Sequence, residues 1–90
     1  MKSILQEEKE CLVCGTKRGL HLHHIYFGSN RKVSDRNGFT CYLCAAHHVG
    51  DYGVHYDPRL DREIKARCQR KFEETHTREE FMKLIGRNYL

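Results

Sequence analysis

The clearest periodic pattern lies in the last third of the chain, where apolar side chains recur at every fourth residue. This stripe consists of Leu60, Ile64, Cys68 and Phe72. Such spacing places the four side chains on one face of an α-helix. Asp57 and Pro58, directly before the stripe, are suited to the N-cap and to the first helical position. The pattern therefore predicts an amphipathic helix that begins at Pro58, with Cys68 as a buried thiol of the core.

A second, shorter helix is predicted at the C-terminus. Thr77 and Glu80 have the three-residue spacing of a capping box, in which each side chain satisfies a backbone N–H of the first turn. The apolar residues that follow at helical spacing are Phe81, Leu84 and Ile85. Residues 58–90 are thus predicted to form two helices.

The middle of the chain has strand-forming residues in place of a helical stripe. Residues 20–27 have the sequence Leu-His-Leu-His-His-Ile-Tyr-Phe and predict a first strand, and residues 39–43 predict a second. The dipeptide Asn37-Gly38 is a strong turn signal directly before the second strand. We expect a hairpin whose connection, residues 28–38, is a long polar loop. Residues 44–49 predict the start of a short helix.

Length and composition fit one small domain over residues 1–90. Its hydrophobic core is small and is expected to need additional stabilisation. The chain has 90 residues, no Trp and a hydrophobic fraction of 39%, and domains of this size often rely on a metal or a disulfide. Five cysteines are an odd number, and residues 1–8 lack the apolar segment of a secretory signal. These features favour a reduced, cytoplasmic compartment and metal-bound thiolates. No segment is long enough to span a membrane.

Metal ligands are concentrated between Cys11 and His55, which holds four of the five cysteines and six of the seven histidines. One zinc site uses about four ligands, so this segment can supply a closed structural site and a second, open one. Two alternatives exist for the structural site. Its first ligands are Cys11 and Cys14, and its last two are either Cys41 and Cys44 or Cys44 and His47. The second alternative places both last ligands where a strand runs into a helix, and Cys41 would then be a buried thiol within the strand.

The histidines predict the second site. His23 and His24 are adjacent on a strand and therefore point to opposite faces, so one can bind a metal while the other acts as a base. His48 can meet a first-strand histidine across the hairpin, and His55 can supply a third nitrogen. Three neutral ligands with open positions for water suit a hydrolytic metal. His21 alternates in phase with His23 and shares its face.

This arrangement resembles the HNH endonuclease family. The resemblance covers residues 11–55 and rests on His23-His24-Ile25 in the first strand and on Leu43-Cys44-Ala-Ala-His47-His48 at the strand-to-helix junction. It is similar to small phage-encoded HNH proteins, including the recombination-associated, RecA-dependent nucleases. The fold that the resemblance implies is a small α+β domain. Its core is a ββα-metal, treble-clef-like finger with a structural zinc, here followed by two C-terminal helices.

The resemblance also implies roles for individual residues. The structural zinc ligands would be Cys11, Cys14, Cys44 and His47. The ligands of a catalytic divalent metal, Mg²⁺, Mn²⁺, Ni²⁺ or Zn²⁺, would be His23, His48 and His55. His24 would be the general base. For the family's central asparagine, Asn37 is the nearest candidate, about two residues early, and Asn30 and Asp35 are weaker substitutes.

The function implied is metal-dependent hydrolysis of DNA phosphodiester bonds with low sequence specificity. Its setting would be phage or prophage DNA processing or recombination in the bacterial cytoplasm, by a monomer, a homodimer or a larger recombination or packaging assembly. The net charge of +4 is compatible with a DNA partner. Arg31, Lys32 and Arg36 are predicted to hold the phosphate backbone. The alternative is a non-catalytic zinc module that binds nucleic acid, which would explain the cysteines but not the histidines.

Overall fold

The computed structural model describes residues 1–90 and has a small α+β architecture of one two-stranded sheet and several helices. In chain order the elements are β1 (Leu20–His24), α1 (Arg31–Asn37), β2 (Thr40–Cys44), α2 (Ala45–His48), α3 (Pro58–Phe72) and α4 (Arg78–Ile85). One turn of 3-10 helix, Gly28–Asn30, precedes α1. None of the helices combines the length and the apolar character that crossing a membrane requires.

The sheet is an antiparallel pair whose register brings a candidate ligand next to the core. His23 lies opposite Cys41, and His24 lies opposite Thr40. Because directly opposed residues share a face, His23 points with the buried Cys41 toward the interior, and His24 points to the other side. The first strand is also shorter than the predicted residues 20–27, because it ends at His24.

Aromatic side chains join the sheet to the C-terminal helices. The ring centres of Tyr26 and Phe39 lie 5.5 Å apart, as do those of Tyr26 and Phe81. Phe72 at the end of α3 stands edge-on to Phe39, with ring centres 5.4 Å apart. All of these rings are buried, so this aromatic cluster fixes the helical half of the chain against the strand ends.

Both C-terminal helices begin as predicted. Asp57 caps α3 by accepting hydrogen bonds from the backbone N–H groups of Arg59 and Leu60. Thr77 and Glu80 form the complete capping box of α4. On the predicted apolar stripe of α3 the residues Ile64, Cys68 and Phe72 are buried. The two predicted helices are confirmed. They could be predicted because their capping signals lie within one turn of each helix start.

The prediction of a polar loop over residues 28–38 is wrong, because most of this connection is helical in α1. The helix is anchored by Ser34, whose buried hydroxyl donates to the Tyr26 carbonyl and accepts from the Tyr26 N–H. It ends at Gly38, which has a φ of 71° and supplies the left-handed C-cap. The anchor is a tertiary contact, which the local pattern of polar residues does not reveal.

Candidate metal centres

Four predicted ligands meet beside the start of α2, in what we name the cysteine centre. Its members are Cys11, Cys14, Cys44 and His47. The first two lie in a turn before β1, closed by Gly15, whose N–H donates to the Cys11 carbonyl at 2.8 Å. Cys44 is the last residue of β2 and the N-cap of α2, and His47 lies three residues further along. A strand that runs directly into a helix thus positions two ligands with little freedom.

Distances within the cysteine centre match the edges of a metal-centred tetrahedron. The sulfur atoms of Cys14 and Cys44 are 3.8 Å apart, and two thiolates on a tetrahedral zinc are expected at about 3.8 Å. His47 Nδ1 lies 3.2 Å from Cys44 Sγ and 3.7 Å from Cys11 Sγ. The four ligand atoms all lie within 4.8 Å of one another. The cluster is close enough to hold a metal ion, and its donor set is consistent with structural zinc.

Cys11 is already disposed toward the thiolate form that binds metals. Burial alone would raise its pKa, but backbone N–H groups of Cys44, Cys14 and Val13 donate to its sulfur. The net result is a pKa of Cys11 lowered to about 6. A thiol with this pKa is largely ionised at neutral pH, as a metal ligand must be.

Cys41 lies outside the cysteine centre. Its side chain is fully buried in the core, and burial raises the pKa of the Cys41 thiol to about 12. Burial likewise raises the pKa of Cys68 to about 12. Both residues therefore remain neutral thiols that pack as small apolar groups.

Three histidines form a second cluster, the histidine centre, which consists of His23, His48 and His55. His48 Nε2 and His55 Nε2 are 3.2 Å apart, and the ring centre of His23 lies 5.3 Å from that of His48. The return of the chain to His55 depends on Gly53, where a Cβ would approach the His48 carbonyl oxygen to 2.8 Å. Only glycine allows this approach, which brings ligands from β1, α2 and the following loop together.

His23 carries the strongest sign that the histidine centre is built for a ligand. The residue is 3% exposed, and its Nε2 atom is buried without a hydrogen-bond partner. Burial, with His48 and His55 nearby, lowers the pKa of His23 to about 3. Burial and the neighbouring histidines also lower the pKa of His48. Neutral imidazoles and an unpartnered buried nitrogen fit a bound divalent metal, which would satisfy that nitrogen.

His24 lies on the opposite face of β1, beside α1. Its side chain is 15% exposed, and its Nε2 lies 3.3 Å from Asp35 Oδ1. The open groove at this position has a volume of about 540 Å³. Its lining residues are His24, Arg31, Lys32, Asp35 and Arg36. The structure thus brings the three predicted phosphate-binding side chains next to the predicted base.

Asn37 is not brought to the histidines. Its side-chain amide donates to the Val33 carbonyl at 2.8 Å, one turn earlier in α1. Asn30, a weaker candidate, donates instead to the Ile85 carbonyl. Asp35 is the candidate that reaches His24. The prediction for Asn37 came from its position shortly before the second strand, and the hydrogen bond to Val33 directs its side chain back along α1 instead.

Two further side chains border the histidine centre and were not predicted. Phe27 lies with its ring centre 6.2 Å from that of His23 and 5.9 Å from that of His55. Lys65 places its Nζ 4.3 Å from the centre of the Phe27 ring and pairs with Asp61 at 2.8 Å. The i,i+4 spacing of Asp61 and Lys65 was a visible signal for this pair, but their proximity to the histidines depends on how α3 packs.

Comparison with known proteins does not add a family to this description. A scan against models of protein families found no match, and searches of curated proteins and of solved structures found none. The interpretation of the chain therefore depends on the two centres and on the groove beside His24.

Proposed function

We propose that this protein is a metal-dependent DNA endonuclease of the HNH type. The observation that carries the proposal is the unpartnered, buried Nε2 of His23 within the histidine centre, one residue from a histidine held by Asp35 beside basic side chains. A metal site, a base and phosphate-binding groups are the parts that phosphodiester hydrolysis needs.

In this proposal the cysteine centre holds a structural zinc and β1, β2 and α2 form a treble-clef-like ββα-metal finger. Three sulfurs and one nitrogen form a closed tetrahedral set of the kind that stabilises small folds. α2 is only four residues long, and an isolated helix of this length is not stable in water. Zinc would therefore stabilise α2, the helix that carries His48. In this way the structural metal would support the open histidine centre.

His24 would act as the general base. With its Nε2–H donating to Asp35, the neutral imidazole keeps its lone pair on Nδ1. Nδ1 would accept a proton from water as the water oxygen bonds to phosphorus. The bond from phosphorus to the 3′ oxygen would then break, and the 3′ oxygen would take a proton from a second water molecule. A divalent metal on His23, His48 and His55 would supply charge stabilisation to the phosphate and the leaving oxygen. The products would carry 5′-phosphate and 3′-hydroxyl ends.

The groove beside His24 would hold the DNA backbone. Arg31, Lys32 and Arg36 all come from α1 and line the groove with His24, and such side chains bind phosphates without reading bases. We therefore propose low sequence specificity. A role in phage or prophage DNA processing or recombination, in the bacterial cytoplasm, fits this chemistry.

Nicking of supercoiled plasmid tests the proposal. The zinc-loaded protein would be assayed with added Mg²⁺, Mn²⁺ or Ni²⁺, beside His24→Ala and the matched control His76→Ala, which alters a histidine outside both centres. Loss of a general base typically costs 10²- to 10⁴-fold in rate, so we expect nicking by the wild type and the control and a loss of about this size in His24→Ala.

Two results would count against a nuclease. DNA binding without cleavage by any variant would favour a non-catalytic zinc module that binds nucleic acid. Equal cleavage by the wild type and His24→Ala would remove His24 from the role of base.

A further inference from the structure

His21 is the one histidine of the cluster between Cys11 and His55 without a place in either centre or at the base position. It lies on β1 opposite Leu43. Its Nδ1 is 2.9 Å from the Nδ1 of His48, and the two rings meet edge-on with their centres 5.0 Å apart. The distance and the ring geometry are those of a hydrogen bond between two imidazoles.

We infer that His21 is a positioning residue that orients the His48 imidazole for a divalent metal in the histidine centre. The inference rests on the metal site of the proposed function. Histidines that bind a metal through one ring nitrogen make a hydrogen bond through the other. We assign His21 as that hydrogen-bond partner of His48.

The two ring nitrogens of His48 have different partners. Nε2 lies 3.2 Å from His55 Nε2 and therefore faces the shared site. An imidazole that binds a metal through one nitrogen carries its proton on the other. The Nδ1–H of His48 then donates to His21 Nδ1, and the proton of a neutral His21 lies on its own Nε2.

His21 does not complete the ligand set. The group whose ligand atoms all lie within 4.8 Å of one another contains His23, His48 and His55 and leaves His21 out. Three protein ligands keep coordination positions open for water and phosphate, as a hydrolytic site requires. A fourth protein ligand would close the site.

The positions of the two residues in the fold explain why such a bond is useful. His21 lies within the hydrogen-bonded ladder of β1 and β2, which fixes its backbone. His48 is the last residue of the four-residue helix α2 and lies outside the sheet's own hydrogen-bonded ladder. The hydrogen bond that His48 donates to His21 ties the end of that helix to the sheet and limits rotation of the His48 ring.

Metal titration of the zinc-loaded protein tests the inference without an activity assay. The variants are His21→Ala, which removes the acceptor, and His21→Asn, whose amide oxygen occupies nearly the position of Nδ1. His76→Ala is the control. Dissociation constants for Ni²⁺ would be measured by calorimetry, and the number of bound imidazoles by X-ray absorption.

Changing a residue that hydrogen-bonds to a metal-binding side chain typically weakens metal binding by about 10- to 100-fold. We expect a loss of this size in His21→Ala, affinity within a few-fold of wild type in His21→Asn, and three bound imidazoles in every variant. Unchanged affinity in His21→Ala would overturn this inference alone, and so would the loss of one imidazole from the coordination shell, since His21 would then be a ligand. Absence of Ni²⁺ binding in the wild type would overturn it together with the proposed metal site.

Discussion

The cysteine centre and the histidine centre share α2, yet they differ in almost every property that decides what a metal site does. His47 belongs to the first and His48 to the second. Successive helical residues point about 100° apart, so one helix can serve two sites on different sides. The cysteine centre combines three sulfurs with one nitrogen, whereas the histidine centre has only three nitrogens, one of them buried and unpartnered. Donor type and number thus separate a site suited to folding from one suited to chemistry.

The largest expected effect would break the cysteine centre. Cys44→Ala removes a zinc ligand, whereas Cys41→Ala removes a buried thiol of the core. Structural zinc contributes about 10 to 16 kcal/mol in isolated zinc-finger peptides, so we expect Cys44→Ala to lose both the bound zinc and cooperative folding. Cys41→Ala should keep one zinc and unfold cooperatively at a lower temperature. Elemental analysis and thermal unfolding followed by circular dichroism measure both properties.

This pair also decides between the two ligand assignments that the sequence leaves open. Loss of zinc from Cys41→Ala as well as from Cys44→Ala would support the assignment to Cys41 and Cys44 and contradict the geometry of the cysteine centre.

The next largest effect would separate the histidine centre from His24, the proposed base. His23→Ala removes the proposed buried ligand. It should weaken binding of the second metal by more than the roughly 10- to 100-fold loss that follows when only a hydrogen-bond partner of a ligand is changed. His24→Ala should leave that affinity unchanged while lowering the cleavage rate by about 10²- to 10⁴-fold. Both variants should retain their zinc. Calorimetry with Ni²⁺ measures the affinity, and equal weakening in the two variants would show that His24 is itself a ligand.

A smaller effect concerns the groove beside His24, the proposed DNA-binding surface. Each phosphate contact contributes about 0.9 to the slope of log affinity against log salt concentration. Arg31→Ala should therefore reduce that slope by about 1, whereas Arg70→Ala, on the exposed side of α3, should leave it unchanged. Fluorescence anisotropy with duplex DNA at several salt concentrations measures the slope. An equal reduction in both variants would indicate diffuse attraction over the whole surface.

The smallest expected effect lies far from both centres. Thr77→Ala removes the side chain that accepts from the Glu80 N–H at the start of α4. Loss of such a cap typically costs about 1 kcal/mol. We expect this decrease in the free energy of unfolding, measured with urea, and no change in the content of either metal. A change in metal content would mean that the helical half supports the centres more directly than its contacts indicate.

The elements that the sequence predicts well are those with local signals. Asp57 caps α3, and Thr77 with Glu80 caps α4, because capping depends on residues within one turn of each other. The spacings of Cys11 with Cys14 and of Cys44 with His47 are also local, but the choice of His47 over Cys41 depends on how the chain folds. α1 was missed because Ser34 stabilises it through Tyr26, eight residues earlier in the chain.

The sequence predicts which residues form the candidate site better than it predicts which of them contact one another. The meeting of His23 with His48 follows from strand alternation and from the junction of β2 with α2. His55 joins them through the close approach of Gly53 to His48, which the sequence alone does not reveal. The partner of His24 could not be derived in the same way. Which of Asn37 and Asp35 reaches His24 depends on the rotation of α1. The helix turns Asp35 toward His24 and Asn37 away from it, which is the reverse of the order in which the two were expected.

Metal stoichiometry tests the central comparison most directly. Native mass spectrometry would count the metals bound to the wild type after exposure to zinc and Ni²⁺, before and after brief treatment with a mild chelator, with His23→Ala beside it. The account predicts two metals in the wild type: a zinc that survives the chelator and a second ion that does not. It predicts the zinc alone in His23→Ala. A wild type that binds a single metal, or a second metal that persists in His23→Ala, would contradict the division into one structural and one open centre.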